Sequence, residues 1–101
     1  MPRLDVHTMP GKNRDGFLLD VQADLLSHLV TRTVVPLFPE DAAPKPISEL
    51  NPVFEIRGKR HVMVTQAIAS IPGKELKRAV TSLAAQHDTV TRALDVLLLG
   101  F

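Results

Sequence analysis

A chain of 101 residues, 45% hydrophobic and 23% charged, fits one domain of ordinary size and excludes a multidomain enzyme. The absence of cysteine excludes a disulfide scaffold, a thiolate zinc site and a cysteine nucleophile. With 12 Lys and Arg against 11 Asp and Glu, the net charge of +1 supplies no global field toward nucleic acid or anionic lipid, so any such contact is local.

The first residues alternate polar and apolar side chains from Arg3 to Val6, the period of a strand, and lack the apolar core of about 7–15 residues that a signal peptide needs. Turn formers crowd Pro10 to Gly16, which predicts a hairpin with a long loop and a second strand over Phe17 to Ala23. Two adjacent leucines follow, Leu25 and Leu26, flanked by polar residues, so one of them is expected to face outward. Val30 to Leu37 is β-branched and alternating. Pro36 cannot donate to a ladder, so this strand is expected to end there or to lie at an edge.

Pro39 to Pro46 holds three of the eight prolines and reads as an irregular surface connection. Three short strands are predicted next, Pro52–Ile56, Arg60–Val64 and Ala67–Ile71, the first two joined across Arg57-Gly58-Lys59 and all three forming a meander. From Glu75 to Leu83 the apolar residues 76, 79, 80 and 83 fit a helix, whereas Val80 and Thr81 suit a strand, and both assignments stand open. From about Ala84 to Leu98 the recurrence of Val90, Ala93, Leu94, Leu97 and Leu98 predicts an amphipathic helix, with Gly100 as its C-cap. The residues thus describe an α+β, mainly β domain over 1–101, of five or six antiparallel strands, strongly bent or partly closed, with one C-terminal helix on the sheet. The longest apolar run, Val96 to Phe101, is about a third of the roughly 20 residues that span a bilayer, and a cytoplasmic protein is expected.

His7, His28, His61 and His87 lie far apart, in no spacing that zinc or iron needs, and read as surface or half-exposed side chains, with no metal and no cofactor expected. A metal-independent ribonuclease needs an acid, a base and a phosphate-holding cation, and Glu55, His61 and Arg57 or Arg60 are of the right types on neighbouring strands. Arg57 to His61 and Lys74 to Arg78 are basic, but the four aromatic residues are all Phe, a poor platform for stacking bases. No glycine-rich phosphate loop and no Gly-x-Ser-x-Gly elbow occurs. The end of the chain is more telling. Three successive leucines, Leu97, Leu98 and Leu99, cannot all face one core from a helix of 3.6 residues per turn, so at least one meets a partner or water.

Read together, Asp20-Val-Gln-Ala-Asp-Leu-Leu26, Val34-Val-Pro-Leu37, Glu49-Leu-Asn-Pro-Val-Phe-Glu-Ile56, Met63-Val-Thr65, Ala69-Ser-Ile-Pro72 and a helix closed by an apolar-Gly-apolar tripeptide resemble the CcdB toxin family of bacterial toxin–antitoxin modules over essentially the whole chain. The resemblance implies a homodimer of SH3-like, partly open antiparallel β-barrels, of the type shared with Kid and MazF, each with a C-terminal α-helix. It also implies a non-enzymatic poison that inserts its tail between the A subunits of DNA gyrase and traps the enzyme on cleaved DNA. A CcdA-like antitoxin with a disordered C-terminal tail is the implied partner, and DNA is reached only through the antitoxin complex, with no membrane involved.

Carried over by position, the gyrase-binding residues would be Leu25 and Leu26, where the family has isoleucines, with Asp95, Leu98, Leu99, Gly100 and Phe101. Two departures stand out. Leu99-Gly100-Phe101 replaces the family's usual Trp-Gly-Ile, moving the aromatic ring two positions toward the carboxylate, and Asp95 places a charge where the family has an amide. The alternatives are a ribonuclease toxin of the MazF and Kid type, or a CcdB-like protein that has lost gyrase poisoning.

Overall fold

The computed structural model describes residues 2–11 and 15–100. Among them are strands β1 (Asp5–Thr8), β2 (Phe17–Asp20), β3 (Thr31–Pro39), β4 (Val53–Ile56), β5 (Lys59–Met63), β6 (Ala69–Pro72) and β7 (Ala79–Ser82), and helix α1 (His87–Leu99). The strands are ordered β4-β5-β3-β2-β1-β7, with β6 also on β3, and every pairing is antiparallel.

The nine-residue β3 organises this sheet. Val34 pairs with both Asp20 and Ala69, and Leu37 with both Phe17 and Met63, so β2 lies along one edge of β3 while β6 and β5 follow each other along the other. The predicted meander is therefore not formed. A 3₁₀ turn at Thr65–Ala67 carries the chain from β5 to a new place on β3 instead of back along β5.

Pro36 does not end the strand. It pairs with Leu18 in mid-sheet. The N–H and C=O of one strand residue point to the same edge, and the Pro36 carbonyl accepts from Val64 N–H at 3.0 Å, so the missing donor faces the junction between β5 and β6, where no ladder partner is lost. β1 begins two residues later than its alternation predicts, because Leu4 has φ 71°; its N–H donates to Asp20 and its carbonyl accepts from Leu83. At the other end of the hairpin, a Cβ on Gly16 would meet the Leu37 carbonyl oxygen at 2.5 Å, so only glycine lets β2 start this close to β3.

Alternation divides the buried side chains between two faces. Leu19, Val35, Leu37, Phe54, Ile56 and Met63 join Leu4, Val6 and Leu83 in the main core, which Val90 and Ala93 of α1 cover. Leu18 and Val34 form a smaller cluster on the opposite face with Leu76. This division resolves residues 75–83. Leu76 belongs to the small cluster while Val80 and Leu83 belong to the main core, so their spacing imitates a helix although Ala79–Ser82 is a strand. The register against β1 shifts between Val6 and His7, leaving Val80 as the bulged residue packed on the main core.

The predicted C-terminal helix forms but starts at His87 and not near Ala84, because Ala84–Gln86 is a 3₁₀ turn, and it runs to Leu99. Gly100 closes it in the left-handed conformation, φ 84°, donating to the Asp95 and Val96 carbonyls at 3.1 Å each. Among the described residues no helix is long and apolar enough to cross a membrane.

Candidate functional site

The exposed large apolar side chains of the described residues fall mainly in two stretches of the chain. Leu25, Leu26, Leu29 and Val30 follow β2, and Leu98 and Leu99 end α1; together they are all but one of the exposed large apolar residues described, Ile47 being the other. Both members of the Leu25 and Leu26 pair face outward, 85% and 41% exposed, where one was expected. Leu98 and Leu99 are 69% and 61% exposed because the last turn of α1 projects past the core that Val90 and Ala93 cover.

Between the two elements lies a groove of about 430 Å³. Leu26 and Leu29 line it from one element and Leu94 and Leu98 from the other, with Thr31 and Thr33 of β3, Ser70 of β6 and Ile68 just before β6. Leu26 and Leu98, 72 positions apart in sequence, thus line one cavity. Leu25 and Leu99 do not line it and stand as exposed neighbours of Leu26 and Leu98 in the chain. Asp95 is half-buried on α1, and Gly100 acts through its backbone as the helix cap. Phe101 lies outside the described residues.

The wall that carries Leu25 and Leu26 is a 3₁₀ turn, Asp24–Leu26, which is too short to hold itself in place. Gln22 holds it. Its side-chain Nε2 donates to the Leu26 carbonyl at 2.9 Å while its Oε1 accepts from Thr33 N–H at 3.0 Å, bridging the turn to β3. The Asp24 carboxylate accepts from Arg3 N–H at 2.7 Å, and Arg3 Nε donates to the Val21 carbonyl at 3.1 Å. Behind Gln22, Asp20 accepts from Gln22 N–H at 3.1 Å through Oδ1 and from the Arg32 guanidinium at 2.6 Å through Oδ2, both charged side chains being buried. Gln22, Leu29, Ile68 and Leu94 carry no local signal in the sequence that marks them as parts of this site. A buried glutamine in a strand-like run carries no periodic signal; only its two partners reveal it.

The residues proposed for ribonuclease chemistry do not assemble. Phe54 faces His61 and Glu55 faces Arg60, so acid and base lie on opposite sides of the β4–β5 hairpin. His61 is buried, 3% exposed, with its ring edge-to-face on Phe17 at 5.1 Å between centroids and its Nδ1–H donating to the Lys59 carbonyl at 2.9 Å. Arg60 is paired on the surface with Glu40 at 3.1 Å, whose hydrogen bond and charge raise the guanidinium pKa. The expectation of surface histidines fails at His7 as well, which is 2% exposed and donates from Nδ1 to the Lys77 carbonyl at 2.7 Å. Both lie on strands whose neighbouring strands and segments close over them; His28 and His87 are exposed. Among the described residues no group of three or more His, Asp or Glu is placed to hold a metal ion.

The structure is similar to that of the Mycobacterium tuberculosis toxin MazF-mt6, with a TM-score of 0.73 at 16% sequence identity, over 90% of this chain and 92% of that one. That likeness shows the architecture, a mainly β half-barrel sheet with a C-terminal helix. The family model described as CcdB protein matches residues 3–100, the span that holds the groove, the 3₁₀ turn and the whole of α1. The chain belongs to the CcdB family, toxins of toxin–antitoxin modules.

Proposed function

We propose that this toxin inhibits DNA gyrase, holding the enzyme on cleaved DNA through the end of α1 and the turn that faces it. The observation that carries the reading is the groove that Leu26 and Leu98 line together, with the exposed Leu25 and Leu99 next to them in the chain. An exposed apolar cluster that the fold positions by buried polar contacts but does not cover is the usual mark of a protein-binding surface. Target contact is assigned to Leu25, Leu26, Asp95, Leu98 and Leu99, with Gly100 setting the direction in which the chain leaves the helix and Phe101 following it. A homodimer presents two copies of this surface about a two-fold axis, which matches a two-fold target. A disordered segment of the cognate antitoxin neutralises the toxin by folding on it, and the pair reaches DNA through the antitoxin.

The reading is tested by adding the purified protein to gyrase, ATP and relaxed plasmid, with a parallel incubation on single-stranded RNA. Supercoiling is expected to stop and the RNA to stay intact, with Glu55→Ala and His61→Ala changing neither result except through folding. Undisturbed supercoiling with cleaved RNA would contradict the proposal in favour of a ribonuclease.

A further inference from the structure

The segment between β6 and β7 concentrates positive charge. Residues 74–78 carry Lys74, Lys77 and Arg78 against Glu75 alone, a local excess of two positive charges in a chain whose whole net charge is +1. No acidic residue then follows until Asp88. All three cations are exposed, and among the described residues none of them makes an ion pair. Arg32, Arg60 and Arg92, by contrast, are each paired with an acid.

These cations stand on a fixed backbone. Gly73 N–H donates to the Val30 carbonyl at 2.8 Å, Leu76 is buried with Leu18 and Val34, and Nδ1 of the buried His7 donates to the Lys77 carbonyl at 2.7 Å. Leu76 packs on the face of the sheet opposite the core that α1 covers, so the segment is set apart from the helix. β7 follows at once. Among the described residues it pairs with β1 alone, so its other edge is open, and its Thr81 and Ser82 are exposed. Lysine and arginine side chains, hydroxyl groups and backbone N–H groups are the donors that hold nucleic-acid phosphates, and here they follow one another along nine residues.

We infer that residues 74–82 form a binding surface for the phosphate backbone of duplex DNA, independent of base sequence. A single strand is disfavoured because the segment has no aromatic side chain on which bases could stack. An acidic protein partner is disfavoured because Leu76 and Val80 pack inward on the two clusters, which leaves no large apolar anchor at this surface. The contact belongs to the toxin itself, beside the DNA reached through the antitoxin, and does not depend on the gyrase reading.

The test titrates full-length protein, without antitoxin or gyrase, into a labelled duplex of mixed sequence at several NaCl concentrations. Wild type is expected to bind with a Kd of about 1–100 µM at about 50 mM NaCl and to lose about 40-fold in affinity by about 200 mM, the salt dependence of three phosphate contacts. The triple variant Lys74→Ala, Lys77→Ala, Arg78→Ala is expected to bind at least about tenfold more weakly, with a shallow salt dependence and an unchanged unfolding temperature. Lys74→Arg with Lys77→Arg, which keeps the charge, and Lys59→Ala, which removes an exposed cation elsewhere, should both bind as wild type. No binding by wild type, or equal affinity and salt dependence for the triple variant, would overturn the inference. Tighter binding to single-stranded DNA, or to poly-glutamate of matched charge, would also overturn it, in favour of an unpaired strand or an acidic protein.

Discussion

Asp20→Ala is expected to lower the unfolding temperature by more than about 12 °C, from a loss of roughly 3–5 kcal/mol, the usual cost of removing one partner of a buried ion pair. The reason is what remains. Arg32 is 1% exposed, and its guanidinium meets Asp20 through Nη2 at 2.6 Å and Nε at 3.1 Å, so the truncation takes two charge-assisted hydrogen bonds from a buried guanidinium. A domain of this size is ordinarily stable by about 5–15 kcal/mol, so a large share of the total is at stake. The pair is not thereby a source of net stability, because desolvating two charges offsets most of their attraction. Asp20→Ala combined with Arg32→Met should therefore recover much of the loss, since the double variant buries no charge. Thermal denaturation of the three variants checks this; a double variant as unstable as Asp20→Ala would show that Arg32 acts through packing and not through charge.

Leu98→Asp is expected to reduce affinity for gyrase about 30- to 1,000-fold while leaving the fold intact. Leu98 is largely exposed and so contributes little to the core, which predicts a small change in unfolding temperature. In the proposed complex the same side chain would be buried in an apolar pocket, and loss of such an anchor costs on the order of 2–4 kcal/mol. A carboxylate there also stands three residues after Asp95 and concentrates negative charge at the helix end. Leu98→Met, similar in volume and apolar, should bind nearly as wild type. Titration of gyrase with each variant decides the matter; if Leu98→Asp binds as tightly as wild type, the helix end is not the contact.

Local patterns exposed most of this architecture in advance. The β-hairpin of β1 and β2, the Arg57-Gly58 turn between β4 and β5, the helix ending at Leu99 and its Gly100 cap each rest on a few adjacent residues, where periodicity and turn chemistry act. Pairings that depend on distant segments were not visible. Nothing in Ala69–Pro72 specifies β3 over β5, and Pro36 stays in mid-sheet only because its missing donor faces the junction between two other strands. The mixed spacing of residues 75–83 has the same origin, two cores sampled by one segment. Of the site, an outward leucine at the end of α1 was legible because Leu97, Leu98 and Leu99 cannot share one face, whereas the exposure of both Leu25 and Leu26 was legible for only one of the two. That Leu26 and Leu98 line one groove, and that Gln22 fixes its wall, required the folded chain.

The central claim is that the apolar end of α1, with Leu99-Gly100-Phe101 in place of the family's tryptophan-bearing tail, traps gyrase on broken DNA. The most direct measurement is the release of linear plasmid when gyrase, ATP, DNA and the full-length toxin are incubated and then treated with detergent and protease, using wild-type protein, Leu98→Asp and Leu99→Trp. The account predicts linear DNA with wild type, none above background with Leu98→Asp, and at least as much with Leu99→Trp. Linear DNA absent with wild type and Leu99→Trp alike, or equally abundant with Leu98→Asp, would contradict it.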